Sequence, residues 1–443
     1  MRALDSPAPW AHSLPDGWTL RRLKDIAILR AGATPDSDNI EYWTEDGTGT
    51  RWLSIADMHS EGSDRAPLRN VSAAGLASTR MRPVQPPAVL FAMYASVGAT
   101  AYLSETSVWN QAILGLVPRA GVNARFLWWA VKGLEPTLPY FYRSNTQDNL
   151  NAQQVGNFEV AVPDSTAQAA IADYLDRETA EIDAFIADQE KLIELLTERR
   201  AATISRGVTC GVDADVRIKD SGVDRLGPIP EHWQVSRLAA TVRSAKNGVW
   251  GDEPDGTFDL RCVRVADFDR RRHRIHDKDV TLRSIAPSER SGRVLQKGDL
   301  LLEKSGGGEK SPVGFVVLYD RDQPAVTSNF VARVSLRPGM EPRFWTYVHA
   351  ANYATRLTQR SVKQSTGIQN LDAQSYFNEA TAIPPLDEQR RIADWLERET
   401  QEVDAALADA REAIALSKER RAALISAAVT GKINVREHGK VNA

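Results

Sequence analysis

VPDSTAQAAIADYLDRETAEIDAFIADQEKLIELLTERRAATISRGVT, from Val162 to Thr209, returns near the C-terminus as IPPLDEQRRIADWLERETQEVDAALADAREAIALSKERRAALISAAVT, from Ile383 to Thr430. A constant offset of 221 relates the two copies: Ala172-Asp173 becomes Ala393-Asp394, Glu178-Thr179 becomes Glu399-Thr400, and Glu198-Arg199-Arg200 becomes Glu419-Arg420-Arg421. A repeat of this length sets the organisation of the chain before any single element is assigned. Proline and glycine are absent from Ser165 to Arg206, Ser165 (with Gln168) and Asp387 stand as capping candidates, and Gly207 marks the expected end of the first helix. Two long helices are expected, the first about 42 residues and roughly 60 Å long.

A helix of that length needs cover for its apolar stripe. Steps of four and three lead from Ile171 and Leu175 through Glu178, Ile182, Phe185, Gln189, Leu192 and Leu196 to Arg199, and in the second copy from Ile392 and Leu396 through Glu399, Ala406 and Ala413 to Arg420. This spacing is the seam of a coiled coil. Antiparallel pairing sets Glu178 against Arg420 and Arg199 against Glu399. It also sets Phe185 against Ala413 and Leu192 against Ala406, large against small. Parallel pairing would stack like charges, so the antiparallel arrangement is expected.

Outside the helices, Leu14-Pro15-Asp16-Gly17-Trp18 is answered by Ile229-Pro230-Glu231-His232-Trp233, and Arg22-Leu23 by Arg237-Leu238. Leu53-Ser54-Ile55-Ala56-Asp57 resembles Val263-Arg264-Val265-Ala266-Asp267, and Arg125-Phe126-Leu127-Trp128-Trp129 resembles Arg343-Phe344-Trp345-Thr346-Tyr347. Asn149-Leu150 and Asn370-Leu371 lead into the long segments. Short β-rich runs at 88–92, 300–302 and 314–318 sit among turns. The expected fold is mixed α and β: two tandem α/β domains separated by two long helices in an antiparallel coiled coil, with pseudo-two-fold symmetry. The expected boundaries are a first domain at 14–162, a helix at 163–209, a linker at 210–225, a second domain at 226–383 and a helix at 384–432.

The chain has 443 residues, 42% hydrophobic and 26% charged, which implies more than one domain. No apolar run approaches the roughly 18 residues of a membrane span, and MRALDSPAPW lacks the order of a signal peptide. Two cysteines, Cys210 and Cys262, form no framework, and a reducing cytoplasm is expected. The net charge of −3 conceals a segregation. The segments 163–206 (ten acids, five bases) and 384–428 (ten acids, seven bases) together hold −8, leaving +5 elsewhere. That balance permits a nucleic-acid partner outside the helices.

Ser305-Gly306-Gly307-Gly308-Glu309-Lys310-Ser311 departs from a nucleotide-binding P-loop, because Glu309 stands where its second glycine belongs. Flanked by Lys304 and Lys310, the loop suits close approach to a DNA backbone, or it is a plain strand connection. Two polar segments hold equivalent places before the long helices: Arg143, Asn145, Gln147 and Asn149 in the first half, and Lys363, Gln364, Ser365 and Gln369 in the second. Amides can pair with adenine and basic groups with guanine, although loop capping explains single amides equally well. Tyr94, Asn110, Lys304, Ser305, Gly306, Gly307, Lys310 and Asn329 complete the candidate DNA-binding set. The basic run Arg270-Arg271-Arg272-His273-Arg274 is a weaker candidate, the spacing of His273 and His276 lacks the pattern of a zinc site, and Trp128 and Trp129 read as helix core. No catalytic constellation is found, so neither catalytic nor metal-ligating residues are assigned.

The LPDGW and IPEHW openings, IPPLDEQRRIADWLERET and the ending ERRAALISAAVTGKI resemble the specificity subunit of type I restriction-modification systems. The first copy departs from that pattern, with Ser165-Thr166-Ala167-Gln168 for Leu386-Asp387-Glu388-Gln389, so that Glu388 lacks a counterpart. The resemblance implies two target recognition domains, each reading half of a bipartite site on double-stranded DNA. It implies that the helices dock two modification subunits and that restriction subunits join them. S-adenosylmethionine, ATP and Mg would then belong to those partners, and this chain would bind no cofactor. Two alternatives are a DNA methyltransferase with degenerate motifs and an assembly scaffold that does not bind DNA.

Overall fold

The computed structural model describes residues 14–44, 47–58, 69–141, 149–308, 311–365 and 368–435. Two compact units divide the chain: one runs to Asp188 and resumes at Ala413, and the other spans Gln189–Glu412. Both long helices, α1 (Ser165–Cys210) and α2 (Leu386–Val429), therefore contribute a segment to each unit. No described helix is long and apolar enough to cross a membrane.

In the first unit, Thr19–Arg22 pairs antiparallel with Glu159–Val162, the strand that feeds α1. A four-stranded antiparallel sheet follows in the order Ala27–Ala31, Ile113–Pro118, Val89–Ala92, Thr100–Tyr102. In a second sheet, Thr50–Leu53 lies parallel to Ser107–Trp109. The helix Ala124–Lys132 is capped by Asn123, whose Oδ1 accepts from Phe126 N at 3.0 Å. Its neighbouring tryptophans point in different directions, as a helix requires. Trp128 Nε1 donates to Thr100 Oγ1 on the sheet (3.1 Å), and Trp129 Nε1 to Asp176 Oδ1 on α1 (2.8 Å).

The second unit repeats this framework. Gln234–Arg237 pairs with Ala380–Ile383, the main sheet runs Val242–Asn247, Val331–Leu336, Leu300–Glu303, Val316–Leu318, and Asp259–Val263 lies parallel to Ala325–Thr327. The turn at Ser54-Asp57 recurs at Arg264-Asp267, where the aspartate accepts the backbone N–H of its partner at 2.7 and 2.8 Å respectively.

Each core is completed by both long helices. Ile171 and Leu175 from the start of α1 join Ile425, Ala428 and Val429 from the end of α2 in the first unit. Ile392 and Leu396 from the start of α2 join Ile204 and Val208 from the end of α1 in the second. A buried glutamine fixes each helix start. Gln168 accepts from Asn123 N (2.8 Å) and donates to Pro163 O (2.9 Å); Gln389 accepts from Glu341 N (2.9 Å) and donates to Pro384 O (2.9 Å). Only Gln389 also accepts from an indole, Trp345 Nε1 at 3.1 Å, because Leu127 fills the corresponding place near Gln168.

The helix ends differ from expectation. Asp164, not Ser165, caps α1, its Oδ1 accepting from Ala167 N at 2.9 Å, while the buried Gln168 bonds Asn123 N and Pro163 O. Asp387 lies in the first turn of α2, behind the helix start at Leu386. Gly207 remains helical: a Cβ there would stand 3.0 Å from Leu396 Cδ2 and 3.1 Å from Trp395 Cζ3, so the glycine admits close helix packing. The chain leaves α1 at Gly211, with φ +73° in the left-handed region.

Within each unit the helix segments run antiparallel. In the second unit Arg199 Nη2 lies 4.0 Å from Glu399 Oε2, but the arginine is 63% exposed and such a pair contributes little. The stronger clamp is Arg200 with Asp404, at 3.0 and 3.4 Å and largely shielded from water. Its counterpart in the first unit is Arg421 with Asp183, at 2.8 and 2.9 Å. Glu178, Phe185, Ala413 and Arg420 line one cavity of about 500 Å³. Phe185 is 45% and Leu192 is 40% exposed. In α2, Leu407 rather than Ala406 is buried beside Val403 and Ala410.

Orphaning a buried donor costs about 1–3 kcal/mol. Gln389→Ala orphans two donors, the Glu341 amide and the Trp345 indole, whereas Gln168→Ala orphans one. Gln389→Ala is expected to cost about 2–4 kcal/mol and Gln168→Ala about 1–3 kcal/mol in urea unfolding followed by tryptophan fluorescence. A double-mutant cycle with Arg200→Ala and Asp404→Ala is expected to give a coupling of about 1–2 kcal/mol. The same cycle on Arg199 and Glu399 is expected to give about 0–1 kcal/mol. Equal couplings would show that the exposed seam pair sets the register as strongly as the clamp.

Candidate nucleic-acid interface

In the second unit the fold gathers two sequence segments that stand far apart in the chain. Ser305–Gly306, Ile368–Leu371 and Val362–Ser365 form a three-stranded antiparallel sheet, with Ser305 opposite Asn370, Gly306 opposite Gln369, and Gln364 opposite Gln369. Ser305 Oγ donates to Asn370 Oδ1 at 2.6 Å, and Gln369 Oε1 accepts from Val313 N at 3.3 Å. Lys304 donates through Nζ to Asn247 Oδ1 at 2.8 Å. Its backbone N–H donates to Phe330 O at 2.8 Å, and its carbonyl accepts from Leu371 N at 2.7 Å. Asn329 is exposed beside Phe330, which is 47% exposed. Lys363 is exposed and paired with Asp372 at 2.8 Å.

Ser305–Gly306, at the start of the glycine-rich stretch, is part of this sheet, and the next described element after it is the strand Val316–Leu318, not the helix that follows a P-loop. Gly306 and Gly307 have φ of +109° and +59°. Tyr353 OH anchors the far side of the loop by donating to Pro312 O at 3.0 Å. The result is a pair of antiparallel strands, Val362–Ser365 and Ile368–Leu371, braced by a short third strand and edged with lysine, hydroxyl and amide groups. A two-stranded β-ribbon fits the major groove of B-DNA.

The first unit has the corresponding backbone junction. Leu150 N donates to Met93 O at 2.9 Å, matching Leu371 to Lys304, and so brings half-buried Asn149 alongside the turn at Tyr94, which is 39% exposed. Asn110 stands nearby in sequence order of the same framework, but its Oδ1 accepts from Ala112 N at 3.0 Å and serves its own turn. Arg143, Asn145, Gln147 and Lys310 lie outside the described residues, and the strand that contains Gln364 and Ser365 is described by its backbone.

The basic run at 270–274 has a different job. Arg270 pairs with Glu303 at 2.6 Å and lies over the Phe315 ring, and Arg274 pairs with Asp320 (3.4 Å) and with Glu397 on α2 (2.8 Å). The Arg271 carbonyl accepts from Arg200 Nη2 at 2.6 Å. This run ties the domain to the helices, and burial pushes the Glu303 carboxyl up despite the adjacent guanidinium. Among the described residues no group of three or more His, Cys, Asp or Glu side chains is gathered as a metal site would need. Asn247 and Phe330 were not singled out by sequence. Their only local signals are the Asn247-Gly248 turn and an apolar residue between two turn positions.

Residues 15–195 match the family described as the type I restriction modification DNA specificity domain. The specificity subunit of type I restriction enzyme HindI from Haemophilus influenzae is 23% identical over 37% of this chain and 36% of its own length. That of MjaIX from Methanocaldococcus jannaschii is 22% identical over 52% of each. The matched part thus spans about a third to a half of these two relatives. A structure solved for "complex assembly and conformational transition of the type I R-M system" superposes with a TM-score of 0.67 at 16% identity, covering 95% of this chain and 100% of that one. That likeness is one of fold.

Two buried histidines in the second unit generate a pH expectation. His273 is stacked on Phe315, and burial, then Arg200 and Arg274, push it down to about 3; His349, bonded through Nδ1 to Tyr376 OH at 2.7 Å, is pushed down by burial to about 4. In the unfolded chain each ring takes a proton near 6.5. Their contribution is therefore complete above about pH 6.5 and is lost as the pH falls toward 4 and then 3. Hydrogen exchange followed by peptide from pH 7 to 4 is expected to open the second unit before the first, with a shallower pH slope in His349→Asn. Equal loss of protection in both units would contradict this.

Proposed function

We propose that this chain is the DNA sequence-recognition subunit of a type I restriction-modification complex, a reading supported by the match of residues 15–195 to the DNA specificity domain of that family and by its similarity to specificity subunits. Its target is a bipartite site on double-stranded DNA, one half read by the domain at 14–162 and the other by the domain at 226–383. The helices at 163–209 and 384–432, with the linker at 210–225, set the separation and dock two modification subunits, to which restriction subunits attach. The chain performs no catalysis and binds no cofactor. S-adenosylmethionine, ATP and Mg are handled by its partners, in the cytoplasm.

The observation that carries this reading is the braced strand pair Val362–Ser365 and Ile368–Leu371, where lysine, hydroxyl and amide groups from two distant segments share one surface. Chemistry of this kind reads base edges and positions phosphates, whereas a reaction would need a nucleophile, an acid–base pair or a cofactor loop. The corresponding surface in the first unit holds Tyr94 and Asn149, with Arg143, Asn145 and Gln147 assigned to the same reading role. Different side chains on one framework imply different half-sites.

The test is long-read mapping of methylated bases in cells that carry this chain with its modification subunit. The expected outcome is a two-part motif that disappears without this chain. Gln369→Ala with Lys304→Ala is expected to relax one half of the motif, costing about 1–3 kcal/mol per lost bidentate base contact, and to leave the other half intact. Adding one helical turn to both long helices is expected to change the spacer and neither half. Methylation by the purified chain alone would favour an enzyme, and retention of the modification subunit without sequence-selective DNA binding would favour a scaffold.

A further inference from the structure

We infer that a cleft in the first unit, walled by Arg30, Arg80 and Arg82, grips the phosphodiester backbone of double-stranded DNA next to the half-site read by that unit; this rests on the DNA-recognition reading above. The cleft holds about 390 Å³ between the end of the strand Ala27–Ala31 and the segment Thr79–Arg82, with Trp109 in its wall and no acidic residue in its lining. The three arginines stand apart from others in this protein. Arg125, Arg200 and Arg421 are held by Asp176, Asp404 and Asp183. Among the described residues, Arg30, Arg80 and Arg82 have no ion-pair partner. Three exposed guanidiniums around one concave surface repel one another and are relieved by an anion.

Backbone geometry adds an independent observation. Arg80 is the C-cap of the helix Ala73–Thr79 and sits at φ +56°, a left-handed position where glycine is the usual residue. A side chain kept there at a cost in strain motivates a functional role for it. The second unit provides the contrast at the corresponding place. The C-cap of the helix Pro287–Arg290 is Ser291, at φ −56°, and the left-handed residue after it is a glycine, Gly292, at φ +70°; Lys246 Nζ donates to Ser291 O at 3.3 Å, and Arg293 donates to Asn247 O (3.1 Å) and Glu289 O (2.9 Å). There the cations are engaged by the protein's own carbonyls.

The cleft also adjoins the backbone of Asn110, the turn residue that follows its Trp109 wall. Trp109 Nε1 donates to Arg30 O at 3.2 Å, Ala33 N to Trp109 O at 2.9 Å, and a Cβ on Gly32 would fall 2.1 Å from Asn110 O. Three cations spread around an open-sided cleft exceed the needs of a single phosphate. They match a duplex, which presents a charge about every 1.7 Å along its axis.

The experiment uses the complex of this chain with its modification subunit, titrated by fluorescence anisotropy against a duplex carrying the mapped motif and a scrambled duplex, between about 50 and 200 mM salt. The variant Arg30→Gln/Arg80→Gln/Arg82→Gln is expected to weaken both duplexes alike and to make the slope of log K against log salt shallower by about 3, with the methylated motif unchanged. Arg80→Gly alone relieves the left-handed backbone, so its folding is expected to be no worse while the slope becomes shallower by about 1. Unchanged slopes in both variants overturn the cleft assignment, and motif-selective binding by the unaltered complex then leaves the recognition reading standing. No preference between the duplexes in the unaltered complex overturns both. A changed motif in the triple variant would make the cleft a base-reading site. Competition by inorganic phosphate with unchanged slopes would make it a free-anion site. Either result overturns the assignment to the DNA backbone.

Discussion

Neither globular part of this protein closes its own core. Ile171 and Leu175 close one together with Ile425 and Val429, and Ile392 and Leu396 close the other together with Ile204 and Val208. Burying side chains of this size contributes about 1.5–3 kcal/mol each, so the helix ends are as much a part of each domain as its sheet. The helices cannot slide without uncovering a core. The charged clamps Arg200 with Asp404 and Arg421 with Asp183 then fix rotation about that contact. Hydrophobic burial supplies the magnitude, and the two-pronged ion pairs supply the register.

The two junctions follow one plan with different parts. Glu388 accepts from Trp233 Nε1 at 3.1 Å and bonds His232 Nε2 at 2.7 Å. At the equivalent places in the first half stand Ala167 and Gly17. The change at Ala167 accompanies the change at Gly17: a carboxylate buried without its histidine partner would be costly, and the carboxylate and the histidine are missing together while the indole is kept as Trp18. The same logic separates Trp345, which bonds Gln389, from Leu127, which has no donor for Gln168.

Much of this was legible in the sequence because the repeat samples one framework twice. The long helices, the antiparallel sense, the strands at 89–92, 300–303 and 316–318, and the inward tryptophans at 128 and 129 follow from periodicity and from charges on the seam. What was hidden depends on distance across the fold. Gly207 reads as a stop until Leu396 and Trp395 are seen to need its missing side chain, and Ser165 reads as a cap until Asp164 is seen to occupy that role. The clamp residues lie one step off the seam, where the period of 3.5 does not look. Of the candidate reading residues, Lys304, Ser305 and Gln369 could be listed from composition, but their union with Asn370 and Asn247 depends on strand pairing between segments some 60 positions apart in the chain.

The division of labour between framework and surface reconciles a net charge of −3 with the proposed DNA partner. Acidity is concentrated on helices whose carboxylates are partly consumed by structural arginines, as at Asp176, Asp183, Glu397 and Asp404. Arginines at 270 and 274 are likewise withdrawn into the structure, although the sequence presents them as a basic patch. Local density of unpaired cations therefore matters more than the total, because screening limits each charge to roughly 8–10 Å at physiological salt. A net charge averages over far greater distances than a phosphate can sense. What a nearby phosphate meets in the first unit is a wall of three guanidiniums without a carboxylate among the lining residues.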